Sequence, residues 1–485
     1  MTGVQQLRAV QGAAWINGQA MDGDDAPIDQ IDPSTGAHLY TLAGCSAALV
    51  DQAVEAANTA VDTWGSITDF ERARKLLTLA ELLRTNQGRL AHLESLDTGK
   101  PLRQAKADVD TAARYFEFYG ALCDKTGGEV FPTEDDVFSF SRYEPYGVVG
   151  QVVPWNAPLS QLARGVAPAL AAKNTVVVKP SELTPSTALE FGRLADEAGI
   201  PSGVVSIVVG LGKSTGAALV GHPLVRHVSF TGSVNTGTHV MASAARRAVP
   251  VHLELGGKSP LIVMADADLD AAVDAGANAI IRNSGQSCFA CTRVLVHESV
   301  HDEYVQRLVN KVSPLRPGRG LDDPDLGPLS SAAQVEQVLS KIRGAVSDGA
   351  RIVAGGDIAH VPDFPGGFYV QPTVLTDVDN NMAIAQEEVF GPVQSVLRFS
   401  NFEQAIQIAN DSEYGLSAGI FTRDFATAHR AATRLSAGQV FINRYGGAGV
   451  ESPFGGYRKS GIGREKGVQA LRAYSQLKTI IGYYG

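Results

Sequence analysis

From Gly147 the chain reads G-V-V-G-Q-V-V-P, ending at Pro154, and from Thr175 it reads T-V-V-V-K-P-S-E, ending at Glu182. Both are short β-branched runs, apolar on successive residues, as a strand buried on two faces requires. Each stops at a proline, which cannot donate to a sheet ladder. Between them, Leu162 to Ala172 has the small-residue pattern of a packed helix. The alternation continues: a helix from Ser186 to Ala198 closed by Gly199, a strand from Val204 to Val209, then a glycine loop and a helix around Ala217 to Val220. Val225 to Phe230 is a further strand, followed by T-G-S and another helix. Strand, loop and helix in this rhythm predict an α/β fold built on a doubly wound sheet of the dinucleotide-binding class.

Upstream, Trp15 to Tyr40 alternates apolar residues with turn formers, and helical periodicity covers Ser46 to Ser66, Asp69 to Leu96 and Arg103 to Cys123. Downstream of Lys258 a second α/β unit begins with the strand Leu261 to Met264 and a helix from Leu269 to Asn283. The strand R-V-L-V-H follows, with a helix to Val312, hairpin and loop character from Gly349 to Tyr369, a strand after Glu387 to Val393, a helix from Phe402, and G-Q-V-F-I-N-R. Gly127 to Tyr146 and Tyr474 to Tyr484 are strand-like but stand outside this pattern. An exposed strand edge needs a cover, which makes both candidates for pairing between subunits.

A chain of 485 residues exceeds what one hydrophobic core normally serves, so two or more domains are expected. The net charge of −10 argues against nucleic acid as a partner. The N-terminal M-T-G-V-Q-Q-L-R carries no apolar signal core, no apolar run reaches membrane length, and the four cysteines lack paired spacing. These features predict a cytoplasmic protein with no metal site and no membrane contact.

Two stretches carry chemistry. S-G-Q-S-C-F-A-C runs from Ser284 to Cys291, and V-H-L-E-L-G-G-K runs from Val251 to Lys258. A thiol is mostly protonated at neutral pH, so a nucleophilic cysteine needs a base or an electropositive site, and Glu254 is a base the fold could deliver. A buried cysteine is otherwise a small hydrophobe, and C-x-x-C is otherwise a redox or metal pair. A turn over Cys288 to Cys291 would bring their thiols within disulfide reach. The loop Gly210, Gly212, Gly216 spaces one residue longer than the usual dinucleotide fingerprint and lacks its downstream acid. Lys179 and Glu182, at a strand's carboxyl end, are placed to bind ribose hydroxyls instead.

Eight stretches together resemble the NAD(P)-dependent aldehyde dehydrogenase superfamily. They are P-W-N (Pro154 to Asn156), K-P-S-E (Lys179 to Glu182), F-T-G-S (Phe230 to Ser233), E-L-G-G-K (Glu254 to Lys258), G-Q-S-C (Gly285 to Cys288), E-E-V-F-G-P (Glu387 to Pro392), P-F-G-G-Y (Pro453 to Tyr457) and S-G-I-G-R-E (Ser460 to Glu465). The resemblance implies that Cys288 attacks the aldehyde carbonyl, that Asn156 and the Cys288 backbone N–H hold the developing oxyanion, and that Glu254 activates water with Glu465 relaying protons. It implies a cofactor groove lined by Pro154, Trp155, Lys179, Ser181, Glu182, Gly212, Gly216, Phe230, Gly232, Ser233, Leu255, Glu388 and Phe390. A carboxylate at Glu182 repels a 2′-phosphate, which favours NAD over NADP.

For the substrate the resemblance implies a pocket of Ala157, Gln161, Arg164, Arg282, Ser287, Ala448 and Phe454. Ala157 stands where the family often has an aromatic, and Arg164 where enzymes for simple aldehydes often have Trp. In the succinate-semialdehyde branch, arginines at the Arg164 and Arg282 places grip the substrate carboxylate, which implies a semialdehyde. The alternatives are an aromatic or simple aliphatic aldehyde, with Arg164 making only internal salt bridges. A coenzyme A-acylating enzyme is disfavoured by Glu254, and a non-catalytic NAD-binding relative by intact Cys288, Glu254 and Asn156. The implied architecture is a Rossmann-like NAD-binding domain (residues 1–123 and 147–257), an α/β catalytic domain (258–455) and a small β oligomerisation element (124–146 and 456–485). A homo-oligomer, dimer or tetramer, is implied.

Overall fold

The computed structural model describes residues 11–485; the stretch read for a targeting signal, Met1 to Arg8, lies outside them. Thr175–Lys179 forms a strand with the bounds its sequence predicts and is buried at every position. It lies inside an eight-stranded sheet whose order is Gly461–Ile462, Val251–Glu254, Val225–Thr231, Val148–Val152, Thr175–Lys179, Val205–Val208, Ala14–Ile16 and Gln19–Met21. The five central strands are parallel, and the outer ones are antiparallel. From Val148–Val152 the chain steps outward twice in one direction, then returns to place Val225–Thr231 on the other side. That reversal opens a crevice at the carboxyl ends of the strands, where open α/β sheets bind ligands.

A seven-stranded sheet follows, in the order Arg351–Ala354, Thr373–Thr376, Val393–Phe399, Arg293–His297, Pro260–Val263, Ser417–Phe421 and Gln439–Ile442. It is parallel except for its first strand. The two strand-like stretches outside the α/β rhythm pair with each other. Ser475–Tyr483 runs antiparallel to Val137–Pro145 over nine residue pairs, and Val130–Phe131 adds a third strand. This sheet exposes Val130, Ile481 and Tyr483 at 86%, 70% and 71%. No described helix is long and apolar enough to cross a membrane.

Several elements differ from the sequence reading. The periodic stretch from Asp69 is two helices, Asp69–Thr85 and Gln87–Thr98, hinged at Asn86, whose ψ of 10° is not helical. The helix expected from Leu162 begins at Pro158, because a proline in the first turn has no donor to lose there. The helix from Leu269 stops at Ile281, since Asn283 and Ser284 take φ of 48° and 53°. Ala332–Ser347 and Phe425–Arg434 are helices and Ser417–Phe421 is a strand, in stretches where no element was expected.

Candidate active site

Glu254 is the last residue of Val251–Glu254 and is only 2% exposed. The L-G-G that follows is held from the side: Leu255 N–H donates to the Ser460 carbonyl at 2.9 Å, and Ser460 Oγ donates to the Gly256 carbonyl at 2.8 Å. Gly257 has to be glycine because a Cβ there would lie 2.6 Å from the Cys288 carbonyl oxygen. The backbone that carries the base therefore touches the backbone that carries the thiol.

The thiol sits on a turn that no regular element supports. Asn283, Ser284 and Gly285 all have positive φ, and a Cβ on Gly285 would lie 2.0 Å from the Gly391 carbonyl oxygen. Side chains stabilise the turn. Asn283 N–H donates to Gln104 Oε1 at 2.8 Å, Ser284 Oγ to the Gly327 carbonyl at 2.7 Å, and Ser330 N–H to Gln286 Oε1 at 2.9 Å. Asn156 is fastened to the same turn: its Nδ2 donates to the Gln286 carbonyl at 3.1 Å, and its own carbonyl accepts from Asn283 Nδ2 at 2.8 Å. An amide nitrogen has two N–H donors, so one is left for a ligand.

Burial sets the ionisation of both reacting groups. The Cys288 thiol is pushed up to about 12, mainly by desolvation; Arg164 opposes this, while Glu254, Glu388 and Glu465 add to it. Glu254 is raised to about 7, again mainly by desolvation; His252 and Arg164 hold it down and Glu465 pushes it up. His252 Nε2 lies 3.6 Å from Glu254 Oε1, too long for a hydrogen bond but close enough for its dipole to favour the carboxylate. Neither Glu254 oxygen has a hydrogen-bond partner among the described residues. A carboxylate poised near neutrality with open oxygens is suited to take protons.

Arg164, 6% exposed, forms an ion pair with Glu465, 2% exposed, and its guanidinium lies 5.1 Å from the Phe454 ring centroid. It is therefore committed to an internal partner and does not face the pocket as a free cation. Arg282 is exposed and lies 5.8 Å from the Phe289 ring centroid. Phe289 and Phe454 meet edge to face at 6.2 Å. Ala157 caps the helix Pro158–Ala171, and Gln161 lies one turn before Arg164 on it. Ser287 and Ala448 are half-buried on the flanking loops. Three site neighbours were missed in the sequence: His252, Phe289 and Lys466. Lys466 has φ of 59° and places Nζ 5.2 Å from the Phe454 centroid. His252 and Phe289 lie inside the two quoted stretches and Lys466 directly follows S-G-I-G-R-E, but nothing local to the sequence reveals which way their side chains turn.

Cys291 is turned away. Its Sγ donates to the Ala275 carbonyl at 3.6 Å inside an apolar cluster, and Cys288 and Cys291 are both free thiols.

The crevice of the first sheet gathers the expected cofactor residues. Lys179 Nζ bonds Glu182 Oε2 at 2.8 Å, and Leu183 N–H donates to Ser181 Oγ at 3.2 Å. Ser233 caps the helix Val234–Ala245, whose N-terminus opens at the carboxyl end of the neighbouring strand. Gly232 N–H donates to the Glu254 carbonyl at 3.0 Å, joining this edge to the base, and a Cβ on it would meet the Phe230 ring. Gly212 faces open space and Gly216 nearly so, although their loop forms a π turn and not the usual fingerprint turn. Trp155, after Pro154, meets Phe390 edge to face at 5.2 Å. Glu388 accepts from Gly257 N–H at 3.3 Å and is raised to about 7 by burial. Leu255 packs on Gly237 of the capped helix. Carboxylates for ribose hydroxyls and a helix N-terminus for phosphate are the donors and acceptors a dinucleotide needs.

The aldehyde dehydrogenase family model matches residues 20–480. A betaine aldehyde dehydrogenase of Brucella melitensis biotype 2 is 42% identical over 478 residues, 98% of each chain. Among solved structures, an aldehyde dehydrogenase of Bacillus cereus in complex with NAD+ superposes with a TM-score of 0.97 at 38% identity, covering 100% of this chain and 99% of that one. An indole-3-acetaldehyde dehydrogenase in complex with NAD+ superposes with a TM-score of 0.96 at 41% identity, covering 99% and 98%.

Proposed function

This chain belongs to the aldehyde dehydrogenase family, and we propose that it oxidises an aldehyde to the carboxylic acid with NAD, using Cys288 as nucleophile and Glu254 as base. The observation that carries the assignment of roles is the junction of base and thiol through Gly257, with Glu254 raised to about 7. Glu254 takes the Cys288 proton as Sγ bonds the aldehyde carbon, and the remaining Asn156 N–H with the Cys288 backbone N–H receives the negative oxygen. NAD, when bound, supplies the acceptor for the hydride, leaving a thioester on Cys288. Glu254 gives the thiol's proton up to solvent, then draws a proton from water as the water oxygen attacks the thioester; the carbon–sulfur bond breaks, the acid leaves, and Glu254 returns that proton to the Cys288 sulfur. Glu465, beside Arg164, lies near enough to modulate Glu254's charge.

Lys179, Ser181 and Glu182 would hold the adenosine ribose, Ser233 and its helix the pyrophosphate, and Glu388, Trp155 and Phe390 the nicotinamide end. The Glu182 carboxylate supports NAD over NADP. An intact Glu254 disfavours coenzyme A as acyl acceptor. The division into a cofactor domain, a catalytic domain and a β element remains the reading of the sheet plan. The exposed apolar face of the Ser475–Tyr483 sheet supports a homo-oligomer, since such a face calls for a partner surface. The test is NADH formation by wild type, Cys288→Ala and Glu254→Gln. Wild type turns over, Cys288→Ala forms no NADH, and Glu254→Gln forms it far more slowly than wild type, because thiol deprotonation and deacylation both lose their base. Steady turnover by Cys288→Ala would remove the assignment.

A further inference from the structure

The pocket around Phe289 and Phe454 holds more positive charge than negative. Arg164 and Glu465 neutralise each other. Arg282 lies over Phe289 and Lys466 over Phe454, and among the described residues neither cation has an ion-pair partner. The other carboxylate that Lys466 influences, Glu451 at the rim, is paired with Arg114 at 2.5 Å. Each of the two rings that meet edge to face thus carries an unneutralised cation on its face. The attraction of an ammonium for an aromatic face holds the lysine in place without quenching its charge.

We propose that Lys466 selects an aldehyde whose far end carries a carboxylate, with Lys466 as the anchoring cation and Arg282 as its support. This rests on the catalytic reading above, since it concerns the same pocket. It moves the anion-binding role off Arg164, whose charge is already spent. It also separates this chain from its betaine aldehyde relatives, because a trimethylammonium group in this pocket would face the cations Lys466 and Arg282, which have no ion-pair partner among the described residues.

The charge on Lys466 is itself tuned. Burial, with Arg164 and Arg282, lowers its ammonium to about 8 against the opposing pull of Glu465 and Cys288. Glu451, paired with Arg114, also acts on it. At pH 7 the ammonium is mostly charged, and above pH 8 it is mostly neutral. A lysine with a lowered pKa gives an anion preference present at low pH and lost as pH rises through about 8.

The experiment is kcat/KM for succinate semialdehyde, its neutral counterpart butanal, and betaine aldehyde, with NAD, across pH. It uses wild type, Lys466→Met and Lys466→Arg. Using the ratio of semialdehyde to butanal cancels the titrations of Cys288 and Glu254, which serve both substrates. Wild type is expected to prefer the semialdehyde at pH 7 and reject betaine aldehyde. In Lys466→Met the semialdehyde-to-butanal ratio falls about tenfold, through the KM of the semialdehyde. In wild type it decays above pH 8, and in Lys466→Arg it persists there, so the lysine–arginine contrast decides even if the methionine variant fails to fold. A wild type that prefers butanal or betaine aldehyde overturns the proposal, as does a ratio that ignores both substitutions. NADH from none of the three overturns the catalytic reading and this proposal with it.

Discussion

The base and the nucleophile lie on touching backbones but are positioned by opposite means. Glu254 ends a sheet strand whose parallel neighbour pairs with it residue for residue, from Val228 opposite Val251 to Thr231 opposite Glu254. The ladder aims its side chain, and ordinary strand conformation suffices. Cys288 follows a turn of three positive-φ residues that is fastened by hydrogen bonds to Gln104, Gly327, Ser330 and Asn156. A sheet carries the group that needs only a defined direction. A tied-down turn carries the group that has to project into a crevice between two sheets, where no ladder reaches.

That contrast can be broken by substitution. Cys288→Ala removes the only covalent path and lowers kcat roughly 10⁴-fold or more, read as NADH formation. Glu254→Gln slows steady turnover by about 10²–10⁴-fold while leaving the strand unchanged, so the circular dichroism spectrum and Tm should not move. Gly285→Ala tests the turn alone. Its Cβ meets the Gly391 carbonyl and its φ is 72°, so stability should fall by about 3 kcal/mol in denaturant unfolding. An alanine as stable as wild type would show the turn to be looser than these contacts imply.

The smallest expected effect sharpens the comparison from the strand side. Only the charged Glu254 accepts a proton, so deacylation rises as pH passes about 7. His252, two residues earlier on the same strand face, holds that value down. His252→Leu removes this influence, so the acid limb of the pH–kcat profile moves to higher pH while the plateau stays. An unmoved limb would leave burial, Glu465 and Arg164 to set it.

Much of the fold was legible because the signal was local. T-V-V-V-K bounded by proline allows little but a short buried strand, and its bounds agree. Ala332–Ser347 is legible in principle too: Val338, Leu339, Ile342 and Ala345 recur at helical spacing and are buried. Ser417–Phe421 was harder, since Gly419 weakens strand propensity. It is glycine because a Cβ would meet Leu261 Cδ1 and Tyr445 Cδ2, each at 2.8 Å. That reason belongs to packing.

The sequence alone determined the α/β rhythm, the residues available for thiol chemistry, and the family they resemble. All of these depend on side-chain type at short spacing. Only the tertiary structure decided which charges meet. Arg164 lies some 300 positions before Glu465 in the chain and is paired with it, whereas Lys466, next to that same glutamate, has no ion-pair partner among the described residues. Charge pairing depends on distance through space, which chain order does not encode; the doubly wound sheet brings Arg164 and Glu465 together, and a positive φ turns Lys466 toward the ring of Phe454.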